Sequence, residues 1–93
     1  MNIKAPKNIN KKAQFLAGIG ASAWFYIYKE KSRYIIERYS EDGKLECSRL
    51  FRLVNTGFDI NRPYNFTYLS NCKKCTIIQD KIKYKFSAII YEN

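Results

Sequence analysis

The stretch AQFLAGIGASAWFYIY, residues 13–28, admits three incompatible readings, and the choice among them sets the fold. Lys4, Lys7, Lys11 and Lys12 precede it, giving the outline of a signal peptide with ASA as its cleavage site. Gly18, Gly20 and Ala23 spell G-x-G-x-x-A, the outline of a dinucleotide loop. The third reading is the opening strand of a small β-sheet.

The secretory reading fails on continuity. Gln14 and two glycines break the apolar run, and WFYIYKEK after the cleavage site continues the apolar pattern instead of opening a polar terminus. The run is also shorter than the ~20 residues a membrane-spanning helix needs. The dinucleotide reading requires a helix after the glycines, yet WFYIYKEKSRYIIERY is aromatic and β-branched with no helix start. The strand reading remains. Phe15, Ala17, Ile19, Ala21, Ala23, Phe25 and Ile27 then share one face, while Gly18, Gly20 and Ser22 precede Trp24, Tyr26 and Tyr28 on the other. Small residues there predict a first strand that curves around a core.

Working outward, RYIIERYS predicts a second strand over Arg33–Ser40, and Asp42-Gly43 is the strongest hairpin signal in the chain. LECSRLFRLVN follows as a third strand. NTGFDINRP reads as an irregular connection holding at most one short strand at Phe58–Ile60. YNFTYLS and CTIIQD are further strands flanking the NCKKC loop. In KIKYKFSAIIYE, Ile82, Tyr84, Phe86, Ala88 and Ile90 face the core, and Lys83, Lys85 and Ser87 face water. A turn near Asn8–Phe15, capped by Asn10, is the one helical candidate. The fold expected is all-β: an antiparallel meander of six to seven short strands, curled or closed as a small barrel because a meander must cover its edges.

Composition agrees with a single domain. The chain has 93 residues, 46% hydrophobic and 16% aromatic, with six Phe, eight Tyr and one Met, so its core is aromatic and β-branched. Residues 1–12 read as a basic, flexible tail and 13–93 as one β domain. The net charge is +9, but the tail carries four of the 17 basic side chains and no acid, so the charge permits nucleic acid without diagnosing it. The absence of histidine excludes His-containing triads and His-containing zinc sites. An odd cysteine count of three argues against a secreted disulfide framework and for a reducing cytoplasm.

GASAWFYIYKEKSRYIIERYS, residues 20–40, resembles the first hairpin of the calycins, the lipocalin and fatty-acid-binding barrels, with Ser22-Ala23-Trp24 in place of their Gly-x-Trp. That resemblance implies a ligand barrel. GIGASAWF, DGKLECSRLF and FTYLSNCKKCTI together resemble a set of short bacterial proteins of uncharacterised function. This second likeness implies no activity.

Three constellations carry chemistry. Cys72 and Cys75 form a C-x-x-C that, with Cys47, supplies three thiolates to a metal. Zinc needs a fourth ligand and no second pair exists, so ordinary reduced cysteines are the preferred reading and no cofactor is expected. Tyr26 and Tyr28 with Arg33, and Tyr91 beside Lys83 and Lys85, combine aromatic and basic groups as single-strand-binding sheets do. The plainer reading is a tyrosine-rich core with a wet charged face. Arg49 falls by alternation on the side of Leu45, Cys47, Phe51 and Leu53. It either points inward as an anion anchor or is turned outward by a bulge near Ser48 that brings Leu50 in, and the bulge is preferred. No nucleophile elbow or paired carboxylates mark an enzyme.

The sequence therefore predicts a small cytoplasmic, non-enzymatic binding module with no membrane attachment. Its first expected partner is a protein bound at an uncovered sheet edge, with a homodimer through such an edge as one form of it. The runner-up is a small anionic or apolar ligand in the interior beneath Trp24 and Arg49, and single-stranded nucleic acid is the third reading.

Overall fold

The computed structural model describes residues 4–18, 23–53, 57–68 and 74–87. Seven strands form one antiparallel sheet: β1 (Gln14–Ala17), β2 (Trp24–Glu30), β3 (Arg33–Tyr39), β4 (Leu45–Leu53), β5 (Asn65–Tyr68), β6 (Lys74–Gln79) and β7 (Ile82–Ser87). Their spatial order is β1-β2-β3-β4-β7-β6-β5, and the sheet curls into a nearly closed barrel. No described residue lies in a helix, and no helix is long and apolar enough to cross a membrane.

The opening stretch is a pair of strands, not the single curved strand its alternation predicts. Gln14 pairs with Ile27 and Phe15 with Tyr26 in antiparallel register, so the chain reverses between Ala17 and Trp24. The reversal also corrects the face of Phe15. Opposed residues in an antiparallel pair share a face. Phe15 therefore stands outside with Trp24 and Tyr26, while Ala23, Phe25 and Ile27 are buried inside. The Phe15 ring lies so close over Gly18 that a Cβ there would come within 2.8 Å of it. Residues 19–22, expected at the bend, lie outside the described residues.

The remaining turns follow their local chemistry. Lys31 takes a positive φ to join β2 to β3, and Asp80 and Lys81 take two to join β6 to β7. At the Asp42-Gly43 hairpin, Gly43 has φ +85°, its N–H donates to Ser40 O at 2.9 Å, and the Ser40 N–H donates to Lys44 O. Asn10 closes a single turn, accepting the Lys12 N–H on Oδ1 and the Ala13 N–H on its carbonyl, but the helical candidate over Asn8–Phe15 does not form, because Gln14 and Phe15 already pair as β1. The basic tail touches the sheet at this same hairpin: Pro6 is buried, and the Lys4 N–H donates to Glu41 O.

The core is aromatic and β-branched, with Phe25, Ile27, Ile36, Leu50, Ile77 and Phe86 fully buried inside the barrel. Register shifts between β3 and β4 after the Glu37–Arg49 pair, and that bulge puts Leu50 in the core and Arg49 outside. Tyr84 and Phe86 of β7 point in and Lys83 and Lys85 out, as the alternation predicts, while Ile82 at the strand end is exposed. Ala88 and Ile90 lie outside the described residues.

The connection from β4 does not lead to β4's neighbour. The next strand, β5, lies at the far edge of the sheet, and β6 and β7 return from there to β4. No strand forms at Phe58–Ile60, where one was the alternative expectation. Phe58 enters the barrel end instead, against Tyr34, Tyr64, Tyr84 and Phe86.

Candidate functional site

The barrel stays open between its two edge strands. Among the described residues, β1 and β5 each have a hydrogen-bonded partner on one side only, and the two lie at opposite ends of the strand order. Between them runs a groove of about 660 Å³, walled by Gln14, Phe15 and Leu16 of β1 and by the Ile60–Phe66 segment leading into β5. Its floor is closed by side chains. Leu16, Tyr64 and Phe66 pack on the core, Phe66 meets Phe25 at 5.2 Å between ring centroids, and Tyr64 Oη donates to Gln14 Oε1 at 2.9 Å. Phe15, 57% exposed, stands at the rim.

One buried residue holds the far wall of this groove. Gln79 of β6 accepts the Asp59 N–H at 2.9 Å and donates Nε2 to Asp59 O at 2.8 Å, with Arg62 O and Pro63 O also within 3.3 Å. The Arg62 guanidinium adds ion pairs to Asp80 at 2.5 Å and Asp59 at 3.6 Å. Alternation in the sequence marks Gln79 only as a strand-end polar residue. A glutamine at an inward position was the available signal.

A second concavity lies on the outer face. Trp24, Tyr26, Tyr28, Arg33 and Arg49 share that face with Glu37 and Tyr39. Glu37 is buried, and it accepts Arg49 Nε at 2.8 Å and the Tyr39 hydroxyl at 3.1 Å. Lys7, Asn8 and Asn10 of the N-terminal segment, with Tyr28, Glu37, Tyr39, Gly43 and Arg49, line an open concavity of about 410 Å³. Burial, and then the Glu37 carboxylate, push the Tyr39 hydroxyl up to about 12. Burial alone raises Tyr26 and Tyr64, and it is the main cause for Tyr28 and Tyr34.

These shifts fix an alkaline limit. A tyrosine whose folded value lies above the ordinary value near 10 stabilises the fold fully below pH 10, and that contribution disappears as pH rises through the folded value. The sheet is expected to unfold between about pH 10 and 12, with tyrosinate absorbance and loss of β circular dichroism moving together. Complete tyrosine ionisation near pH 10 with the sheet intact would contradict it.

The predicted site residues therefore divide. Trp24 and Arg49 do not stand over the interior, which corrects the position assigned to them in an interior-ligand site. The Trp24 indole donates to Glu41 O at 3.2 Å, and the described core side chains, Phe25, Ile36 and Phe86 among them, occupy the interior. Tyr28 is buried, so its ring offers no open face to a base, whereas Tyr26 is half-buried between Phe15 and Tyr39. The Arg33 guanidinium lies over the Phe51 ring at 5.1 Å. Lys83 and Lys85 are exposed on β7. Cys75 is buried in the core with Ile77 and Phe86, so the C-x-x-C does not present this thiol from a loop. Cys72, Tyr91 and the side chain of Cys47 lie outside the described residues. Among the described residues no cluster of three or more His, Cys, Asp or Glu side chains gathers as metal ligands would.

The family model of the DUF6695 C-terminal domain matches residues 13–89, a span that contains all seven strands and both walls of the groove. The chain belongs to the DUF6695 C-terminal domain family. This is an uncharacterised domain family, and its matched span leaves out residues 1–12, including the segment lining the outer concavity. No curated protein and no solved structure matches the chain.

Proposed function

We propose that this domain is a non-catalytic binding module whose ligand is an extended segment of a protein partner, added as a strand in the seam between β1 and β5. The observation that carries the reading is the seam itself: two strand edges facing one groove of about 660 Å³. Unpaired strand edges are ready templates for main-chain pairing, and natural sheets cover or blunt them unless they are used. Here both edges are four residues long, and the exposed Phe15 offers an apolar contact for one alternate side chain of the incoming strand. A chain of net charge +9 favours an acidic partner. The core side chains that occupy the inside of the barrel, Phe25, Ile36, Ile77 and Phe86 among them, support this reading over a small ligand held there in the calycin manner. Cytoplasmic residence is part of the proposal, resting on the odd cysteine count.

Selection of binders from a displayed random-peptide library, followed by amide hydrogen exchange, tests the site. Bound peptides are expected to slow exchange along Gln14–Ala17 and Asn65–Tyr68. Protection of these strands by a second copy at rising concentration would identify the partner as the same chain. Binders that protect only the outer face of β2–β4, or none recovered, would overturn the seam reading.

A further inference from the structure

The concavity over Glu37 and Arg49 is built differently from an ordinary surface ion pair. The Glu37 side chain is 5% exposed and the Arg49 side chain 55% exposed, so a carboxylate has been taken out of water to hold a guanidinium that stays in it. Such an arrangement is a weak source of stability, because the desolvation of the acid offsets most of the attraction. What it does well is orientation. Glu37 is itself fixed by the Tyr39 hydroxyl and engages Arg49 through Nε alone, at 2.8 Å. Among the described residues, neither Nη group of Arg49 makes a hydrogen bond. Those two groups are the parallel donors with which arginine grips a planar oxyanion in bidentate fashion.

The surroundings complete a pocket. Lys7 supplies a second cation from the N-terminal segment, Asn8 and Asn10 supply amides, and Tyr28 and Tyr39 form the floor. Asn8 takes a left-handed φ of 60°, and the Lys4 N–H–Glu41 O bond and buried Pro6 tie this segment to the hairpin. About 410 Å³ lies within the range of small-molecule sites. With Glu37 neutralised by Arg49, the Lys7 ammonium leaves the cavity net positive.

We propose that this cavity is a second site, separate from the seam, which binds a small ligand through a carboxylate or phosphate group held by the two Nη donors of Arg49 and by Lys7. Glu37 and Tyr39 are positioning residues: the Tyr39 hydroxyl fixes Glu37, and Glu37 aims Arg49. The inference does not depend on the strand-binding reading, since the two concavities share no residue.

The test is an NMR titration of the full chain with inorganic phosphate in one arm and acetate in the other, at constant ionic strength. Saturable shifts at the Lys7–Asn10 amides and the Arg49 side chain are expected, and the arm with the tighter binding identifies the group. Arg49→Leu should weaken that binding about tenfold or more, as loss of hydrogen bonds to a charged group does. Arg49→Lys keeps the charge but loses the fork, and weakens it as well. Lys7→Ser changes an exposed residue outside the sheet and keeps the test decisive if Arg49→Leu fails to fold; it should weaken binding about two- to fivefold. Linear, unsaturated shifts in both arms, or equal affinity in the folded Arg49 variants and Lys7→Ser, would overturn the site.

Discussion

Phe58→Ala is expected to lower the unfolding free energy by about 3–5 kcal/mol, the largest single effect in the molecule. Phe58 is 3% exposed although it belongs to no strand. Its ring meets Tyr34 at 4.9 Å, Tyr64 at 5.4 Å, Tyr84 at 5.6 Å and Phe86 at 6.4 Å between centroids. These partners come from β3, β7 and the entry to β5, so one side chain joins the two halves of the barrel at its end. Tilted and edge-on ring pairs add to the area buried. The Tyr34 hydroxyl donates to Phe58 O at 3.0 Å, which holds the backbone in place while the ring is removed. The cavity left by alanine is therefore expected to stay open rather than collapse, and that places the cost at the upper part of the range. A domain of this size has about 5–14 kcal/mol in total, so the variant becomes marginal. At roughly 4–8 °C per kcal/mol, thermal unfolding should move down by more than 12 °C. A shift under about 4 °C would mean that the loop is not packed into the barrel end.

Gln79→Leu is the second large effect, expected at about 2–4 kcal/mol. The volume is nearly kept, so the loss comes from hydrogen bonds. Leucine removes the acceptor of the Asp59 N–H and the donor to Asp59 O, and both backbone groups are part-buried. A buried group left without its partner costs more than an average hydrogen bond contributes. The consequence extends to function, because Ile60–Pro63, which follow Asp59, stand in the wall of the seam opposite β1. Peptide binding at the seam should fall more steeply than stability does, whereas Phe58→Ala should lower stability first. Measuring both variants by denaturant unfolding and by affinity for one selected peptide separates the two roles. Gln79→Leu with wild-type affinity in the folded fraction would detach this wall from binding. Gln79→Glu keeps the Asp59 N–H acceptor and loses the donor, and should lie between the two.

The inner alternation of β7, the Asp42-Gly43 hairpin and the all-β character were legible in the sequence because each depends on residues next to one another. Period-two burial of Tyr84 and Phe86 and the left-handed glycine at position 43 are local facts, decided before any strand meets another. The bulge that brings Leu50 inward was readable for the same reason: an arginine in an apolar row costs too much to bury. Even in the opening stretch, composition pointed to strand. It did not say whether the small residues between Ala17 and Trp24 bend a strand or reverse it, since both conformations ask for small side chains. The pairing of Phe15 with Tyr26 decides that, and it moves Phe15 from the core to the rim of the seam.

What tertiary structure alone decided is everything that requires two distant segments. β4 pairs with β7 and not with β5, so the strand edges that face one another belong to residues 14–17 and 65–68. Phe58 is core because rings from three other parts of the chain surround it, and Gln79 is structural because a loop 16 to 20 residues away bends back to it. Arg49 becomes an oriented donor only once Glu37 is buried beside it, in the concavity lined by Lys7, Asn8 and Asn10. Alternation and turn chemistry, acting over a few residues, determined that this chain makes strands and where most of its turns fall. The closure of a curled sheet, which no local preference encodes, determined which of its residues face a partner.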